Sequence, residues 1–589
     1  MIIGNPITVE GSWWGVYSGS STISPSTSPI TLSTSGRRMA FDLTIEAFPA
    51  AVTYSGAYSV DVSLTSQVFS TSGLKMTGDF TVGAIPESMS TPSWLKLLNK
   101  TLEVVSDPQG EISYVRSGAF KSCYSLREVS LPAVISIGES AFENCSSLAT
   151  VCAPSVTTIG ASAFLGTALR SAIFPEVTII SHCAFQYCSR MSLVSFPNAV
   201  MISNFAFANC AGLSYVECSQ TTTIGRYAFS DCSELTSVSF PLVTELGSSA
   251  FYYCTKLQSV YLSLVNTIKQ YTFCGCSLLS QFDFTDVEAI QGHAFYSCGF
   301  VSVELPRATT VYGFPSCQSL KTCSAPMAVA LGGFYNCYSL ETVYSPQVTT
   351  LGTSAFYRCS ALKSVSFPLV TSINSYTFYG CSSLSAVYMP AVQSIGSSAF
   401  QGCTALTAVD FTNLTSISSY AFYNCTALSS VPLEKIKWFG PLAFANCAFT
   451  SISIPTNVNV DGGVFEGCSA LKTYYGPCTV CSVWWGVKNP QFGQCIALET
   501  VHITPTRSPC QNNPFSGCVN LISVYFYGSA VAAAPAYSSI SIFAGTPIGG
   551  TPTSSGRYGT LYVPISLYAA YLSHSYWSAF SSVLSSFIT

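Results

Sequence analysis

Charge is what this chain has least of. Asp, Glu, Lys and Arg make up 8% of its 589 residues, against roughly 25% in ordinary soluble domains. No basic run occurs and the net charge is −4, which argues against a nucleic-acid partner. Long apolar runs are missing too. Hydrophobic residues are 48% of the composition, yet none gather into the stretch of about eighteen that a spanning helix needs, so membrane insertion is not expected. Histidine is scarce: His182, His293, His502 and His574 are the only four. None belongs to a Ser/Cys–His–Asp pattern, which removes the common nucleophilic hydrolases. The opening Met1-Ile2-Ile3-Gly4-Asn5 lacks a basic n-region and a long apolar h-region, so no secretory signal is visible.

What the chain does have is a beat. Phe120, Phe142, Phe164, Phe185, Phe207, Phe229, Phe251, Phe273, Phe295, Phe314, Phe334, Phe356, Phe378, Phe400, Phe422, Phe444, Phe465, Phe492 and Phe515 form one series, usually 22 residues apart. Each is followed three residues later by Cys, except Phe164, which has Thr167. A fixed period of this length marks a solenoid, whose units bury their apolar faces only against stacked neighbours. One unit reads Leu235-x-x-Val238-x-Phe240-Pro241-x-Val243-x-x-Leu246-Gly247-x-x-Ala250-Phe251-x-x-Cys254. Leu-x-x-Val-x-Phe has the period-two spacing of a short strand. Pro241 ends it, Gly247 suits a turn, and Ala-Phe-x-x-Cys fits one 3₁₀-like turn that sends Phe inward. Each coil should place one strand on one face and a turn opposite. Coils stacked in register should make one flank a continuous plane.

The recurring Ala-Phe-x-x-Cys-x-x-Leu-x-x-Val, as at 399–409, resembles the BspA-like leucine-rich repeats of bacterial and phage surface proteins. The resemblance covers about 115–530, and the tail Leu561-Tyr562-Val563-Pro564 with Tyr571 and Trp577 is similar to the closing segment of such proteins. It implies a non-catalytic binding scaffold: a right-handed leucine-rich-repeat-like solenoid of short parallel strands with 3₁₀ turns. Residues 1–85 carry no repeat. The alternation in Met39–Ile45 and Tyr58–Leu64 suggests a small antiparallel β domain for attachment. Thr91-Pro92-Ser93-Trp94-Leu95 reads as a helix start, within an N-terminal cap at 86–117. The solenoid is expected over 118–526 and a C-terminal cap, with a strand and a short helix near Tyr568–Phe580, over 527–589.

Eighteen of 26 cysteines hold the repeat position. They read as reduced, buried thiols, because side chains stacked in register point the same way and oppose bridging. Cys478-x-x-Cys481 is a lone pair without the partner pair a zinc site needs, so no cofactor is expected. The position between Val and Phe of each strand points outward. Read down the stack it includes Tyr261, Asp283, Glu304, Tyr344, Tyr388, Asp410, Tyr475, His502 and Tyr525. Tyrosines offer flat rings with polar tips, and acids and hydroxyls bond sugars or peptides. Tyrosine also fits exposed strand positions for its propensity alone. Asp283 with Glu304 could serve a glycan depolymerase if their spacing suited it. Trp484 and Trp485, in an insertion that repeats the Trp13-Trp14-Gly15-Val16 sequence, are either contacts or plugs. The expected function is recognition of a host surface glycan or protein. The expected setting is a phage tail or head fibre, joined to other virion subunits through the N-terminal domain. Its rivals are a cell-surface adhesin and a purely structural subunit.

Overall fold

Parallel pairing of short strands, one coil to the next, builds most of the molecule. The structure, a computed structural model, describes residues 113–588 apart from 457, 461, 479–489, 505–512 and 533–541. It also describes 103–107, 110 and the backbone of five strands between 20 and 63. It divides into two units, Met1–Asp283 and Phe284–Thr589.

In the first unit coils bond to their neighbours along as many as three flanks, not two. The strand Glu128–Ser130 pairs in parallel with Val104–Ser106 and Thr150–Cys152. Strands of two residues, from Tyr114–Val115 through Ser136–Ile137 to Glu245–Leu246, form a second, seven-stranded ladder. The expectation of one strand per coil is corrected here, because the segment ending in Ile-Gly or Leu-Gly also pairs. Gly247 is not in a left-handed turn. A Cβ on it would lie 2.4 Å from the Gly225 carbonyl carbon, so glycine there permits close approach of neighbouring coils. The third flank is the Phe turn itself. The N–H groups of Ser140, Phe142 and Asn144 donate to Ala161, Ala163 and Leu165 of the next coil at 2.6–2.8 Å. This alternation requires left-handed backbone on both sides of Phe142, at Ser140 (φ 53°) and Asn144 (φ 60°). Ser and Asn adopt that conformation more readily than branched residues.

Phe120 to Phe273 stack as one file, with ring centroids 5.2–5.4 Å apart and planes within 4–14°. Each buried ring contributes on the order of 2–3 kcal/mol. Beside the file run the thiols. Cys145 Sγ–H donates to Phe120 O at 3.0 Å and Cys254 to Phe229 O at 3.1 Å. The repeat cysteine thus supplies a small apolar body and a donor for a buried carbonyl, and Thr167 fills the one missing rung, 3.1 Å from Cys188 Sγ. Among the described cysteines none is bridged. Cys152 alone is exposed, on the outer face of a strand. Iodoacetamide at pH 8 should therefore label Cys152 in the folded chain and leave Cys210 and Cys232, whose ionisation burial pushes well up, unlabelled until denaturant is added. Peptide mapping by mass spectrometry checks this.

The N-terminal strands correct another expectation. Ser20–Ile23 pairs with Ala40–Ile45, that strand with Asp61–Ser63, and Ile30–Ser33 with Val52–Ser55; all three pairings are parallel. Partners such as Ser20 and Asp42, or Ile30 and Val52, are one repeat period apart. Alternation shows which side chains share a face, but not the direction of the neighbouring strand. The expected helix at Thr91–Leu95 lies outside the described residues.

In the second unit the phenylalanine file runs from Phe295 to Phe515 and on to Phe543, at 5.1–6.0 Å and 2–13°. Phe543 is a member that the sequence series lacks. The unit closes with strand Thr560–Pro564, helix Tyr568–Ser573, 3₁₀ helix Trp577–Val583 and edge strand Leu584–Phe587. Trp577, 1% exposed, donates its indole N–H to Ala532 O at 2.7 Å.

Candidate binding face

The outward face of the longer strands is interrupted at intervals. In the first unit the pairing stops after Thr150–Cys152 and again after Tyr215–Glu217. In the second unit it stops after Thr342–Tyr344 and after Ala408–Asp410. Up to Ala408–Asp410 the strands therefore come in threes, the sheet from Ser451–Ser453 to Leu584–Phe587 has six, and the expected continuous plane is instead a series of separate sheets. At the break after Tyr344, Lys363 N–H still donates to Glu341 O at 3.2 Å. The two strands are joined at their start and lose pairing toward Tyr344 and Ser366.

The side chains beneath this break are small. Ser345 takes the inward place that Phe367 fills in the next coil, and Ala325 precedes it. Val343 is half-buried, whereas Val365, in the same register one coil on, is 4% exposed. Ser345 is itself 1% exposed, with a hydroxyl that has no hydrogen-bond partner. Over this region lies a shallow trough of about 490 Å³, lined among others by Val343, Ser364, Ser366, Tyr388 and Asp410.

Tyr344 (62% exposed) and Tyr388 (50%) stand on the two sides of Ser366. Ser366 pairs directly with Tyr388, and Tyr388 with Asp410. Asp410 is exposed, and its Oδ1 accepts from the Thr412 hydroxyl at 2.9 Å. Elsewhere the same column behaves differently. Tyr475, His502, Tyr525 and Tyr562 stack face to face at 4.0, 4.6 and 4.4 Å, within 7–9° of parallel. The rings cover one another's faces within the stack, while Tyr475, at its end, is still 46% exposed. The His502 imidazole, held below its ordinary pKa by partial burial, lies 3.0 Å from the Tyr527 hydroxyl.

The expected site residues thus separate. Tyr388 and Asp410 line one trough, and Tyr344 is exposed on the strand Thr342–Tyr344, of which Thr342 and Val343 reach that trough. Tyr475 and Tyr525 belong to the closed stack, with Tyr562 as a member that the repeat column did not contain. Tyr261 is exposed in the first unit, where Asp283 is also exposed; Glu304 is exposed in the second. Trp484, Trp485 and Cys481 lie outside the described residues, as do Trp13, Trp14 and Cys510. Among the described residues no cluster of His, Cys, Asp and Glu could hold a metal ion. No helix among them is long and apolar enough to cross a membrane.

A family model described as the BspA type leucine rich repeat region matches residues 113–221, 200–321, 328–447 and 393–522. No curated protein matches. Among solved structures, a leucine-rich repeat protein from Bacteroides ovatus is 22% identical, over 63% of this chain and 86% of that one, with a TM-score of 0.39. A leucine rich cell surface protein from Faecalibacterium prausnitzii is 20% identical over 72% and 88%, with a TM-score of 0.23.

Proposed function

The chain belongs to the BspA type leucine rich repeat family, and from that premise we propose that it is a non-enzymatic recognition protein that docks a surface glycan or protein on the outer strand face. The observation that carries this reading is the pair of exposed rings on one strand face, Tyr344 and Tyr388, the second of which lines a trough of hydroxyl and valine side chains. Large amphipathic rings on a rigid sheet provide contact area with little entropy to lose. At the junction after Tyr344 both strand ladders are interrupted, and the coils are held by the Phe turn, where Phe356 N–H donates to Thr377 O at 2.8 Å.

The test is attachment of the labelled full chain to a panel of bacterial and host cells. Replacing both Tyr344 and Tyr388 by Ser should lower attachment by roughly a hundredfold, about 1.4 kcal/mol for each ring. Far-UV circular dichroism should not change, since neither ring is in the core. Undiminished attachment would reject the face. Within this reading the chain sits on a phage particle as a tail or head fibre, a placement supported by the hydroxyl-rich, charge-poor exterior. Mass spectrometry of purified virions tests that placement. A cell-surface adhesin is the second placement, supported by the family, and surface labelling of intact cells tests it.

A further inference from the structure

We propose that the second unit carries a hinge between coils 342–359 and 364–381, which opens along the strand flanks while the phenylalanine turn holds as the spine. Four features of this junction lead to it.

The first is the pairing. The longer strands stop pairing between Thr342–Tyr344 and Ser364–Ser366, and the two-residue strands stop between Thr350–Leu351 and Ser372–Ile373. Among the described strands this is the single junction at which both ladders stop together. After Ala408–Asp410 the longer strands also stop, but there Ser416–Ile417 still pairs with Trp438–Phe439.

The second is what still crosses the gap. In the adjoining junctions Gly352 N–H donates to Leu331 O at 2.9 Å and Gly396 N–H to Ile373 O at 2.7 Å. At this one the Leu351 carbonyl accepts from a side chain, the Asn374 amide, at 2.6 Å. Lys363 N–H donates to Glu341 O at 3.2 Å, while Glu341 N–H reaches Lys321 O at 2.8 Å. The Lys363 ammonium pairs with the Glu341 carboxylate, and both are exposed. An exposed ion pair is a weak tether.

The third is the core beneath. The inward place after the longer strand holds Ala325, Ser345, Phe367 and Met389 in successive coils. Ser345 is 1% exposed and its hydroxyl has no hydrogen-bond partner. A buried unpaired hydroxyl destabilises the closed form, and opening returns it to water.

The fourth is the spine, where nothing is lost. The N–H groups of Ser354, Phe356 and Arg358 donate to Ser375 O, Thr377 O and Tyr379 O at 3.1, 2.8 and 2.6 Å. Phe356 stacks on Phe378 at 5.4 Å and Tyr357 on Tyr379 at 4.9 Å. Bonds kept on one flank and ladders lost on two leave one direction of easy motion. Tyr344 stands on one side of the hinge and Tyr388 on the other, so opening changes the distance between the two rings. The hinge does not depend on their face being a binding surface.

Residue-resolved hydrogen exchange on the unaltered full chain reads such local opening. The Lys363 amide should be protected at least tenfold less than those of Glu341 and Ser385, which hold the equivalent bonds one coil away. The Phe356 amide should be protected as well as that of Phe378. A second measurement uses Ser345→Cys, a near-isosteric change whose fold far-UV circular dichroism checks. The introduced thiol should react with iodoacetamide at least tenfold faster than native Cys323, which is 2% exposed on the paired strand Thr322–Ser324. Adding Glu341→Gln, which removes the ion pair across the gap, should speed that reaction further. Lys363 protected as well as Glu341 and Ser385 would mean a junction that stays shut and overturns the hinge. Phe356 losing protection together with Lys363 overturns it too, because the coils would then part on every flank. A Ser345→Cys thiol no more reactive than Cys323 would do the same.

Discussion

Alkali should take this fold apart early. In the second unit burial raises the ionisation of Cys317, Cys337, Cys359, Cys381, Cys403, Cys425, Cys447, Cys468, Cys495 and Cys518. For Cys337, Cys468 and Cys518 it reaches about 12. An unfolded thiol ionises near 8.5. Because the folded values are raised, the stability they confer is complete below about 8.5 and drains away as pH climbs toward 12. Above pH ~9 each thiol withdraws about 1.4 kcal/mol per pH unit. Ten acting together withdraw on the order of 10 kcal/mol per unit, comparable with the ~5–15 kcal/mol that holds a typical domain. Far-UV circular dichroism, recorded in reductant, should collapse between about pH 9 and 10.5. Replacing Cys359, Cys381, Cys403 and Cys425 by Ala should move the collapse to higher pH. A signal flat to pH 11 would mean that the thiols are not locked in their protonated form.

Removing one ring from the phenylalanine file should also be costly. Phe400 is fully buried, stacked on Phe378 and Phe422 at 5.1 Å on each side, with Phe411 at 5.9 Å. Phe400→Ala leaves a hole lined by three rings and breaks two stacking contacts at once. Such truncations cost about 3–5 kcal/mol. In a solenoid the loss is local, because each coil answers only to its neighbours. Hydrogen exchange should accelerate around residues 378–422 and far less beyond them. Uniform loss of protection along the unit would show that it unfolds as one block, not coil by coil.

The file of rings was legible because one residue type recurs at one spacing and nothing else explains it. Phe543 escaped since it lacks a cysteine and follows Phe515 by 28 residues, and only the stack reveals it. The second ladder escaped because two residues such as Ser136–Ile137 are too few to show alternation. The grouping of strands in threes before the final sheet of six has no residue signature. Ala153, Cys218 and Ser345 follow three of the breaks, but Phe411 follows another. The candidate site was half visible: the column of outward tyrosines could be read, but not which faces stay open. Tyr475 and Tyr344 look alike in sequence. A neighbouring His502 stacks on one face of Tyr475, and a neighbouring Ser366 has no ring to stack on Tyr344.

The three bonded flanks have a mechanical side. Within either unit the bonds from coil to coil run along the direction of stacking, so tension applied at one end would load a single coil's bonds at a time. The chain would peel in steps, each freeing 22 residues and about 70 Å of slack. A tether of this kind yields gradually under shear instead of snapping, and it re-forms from whichever end stays stacked.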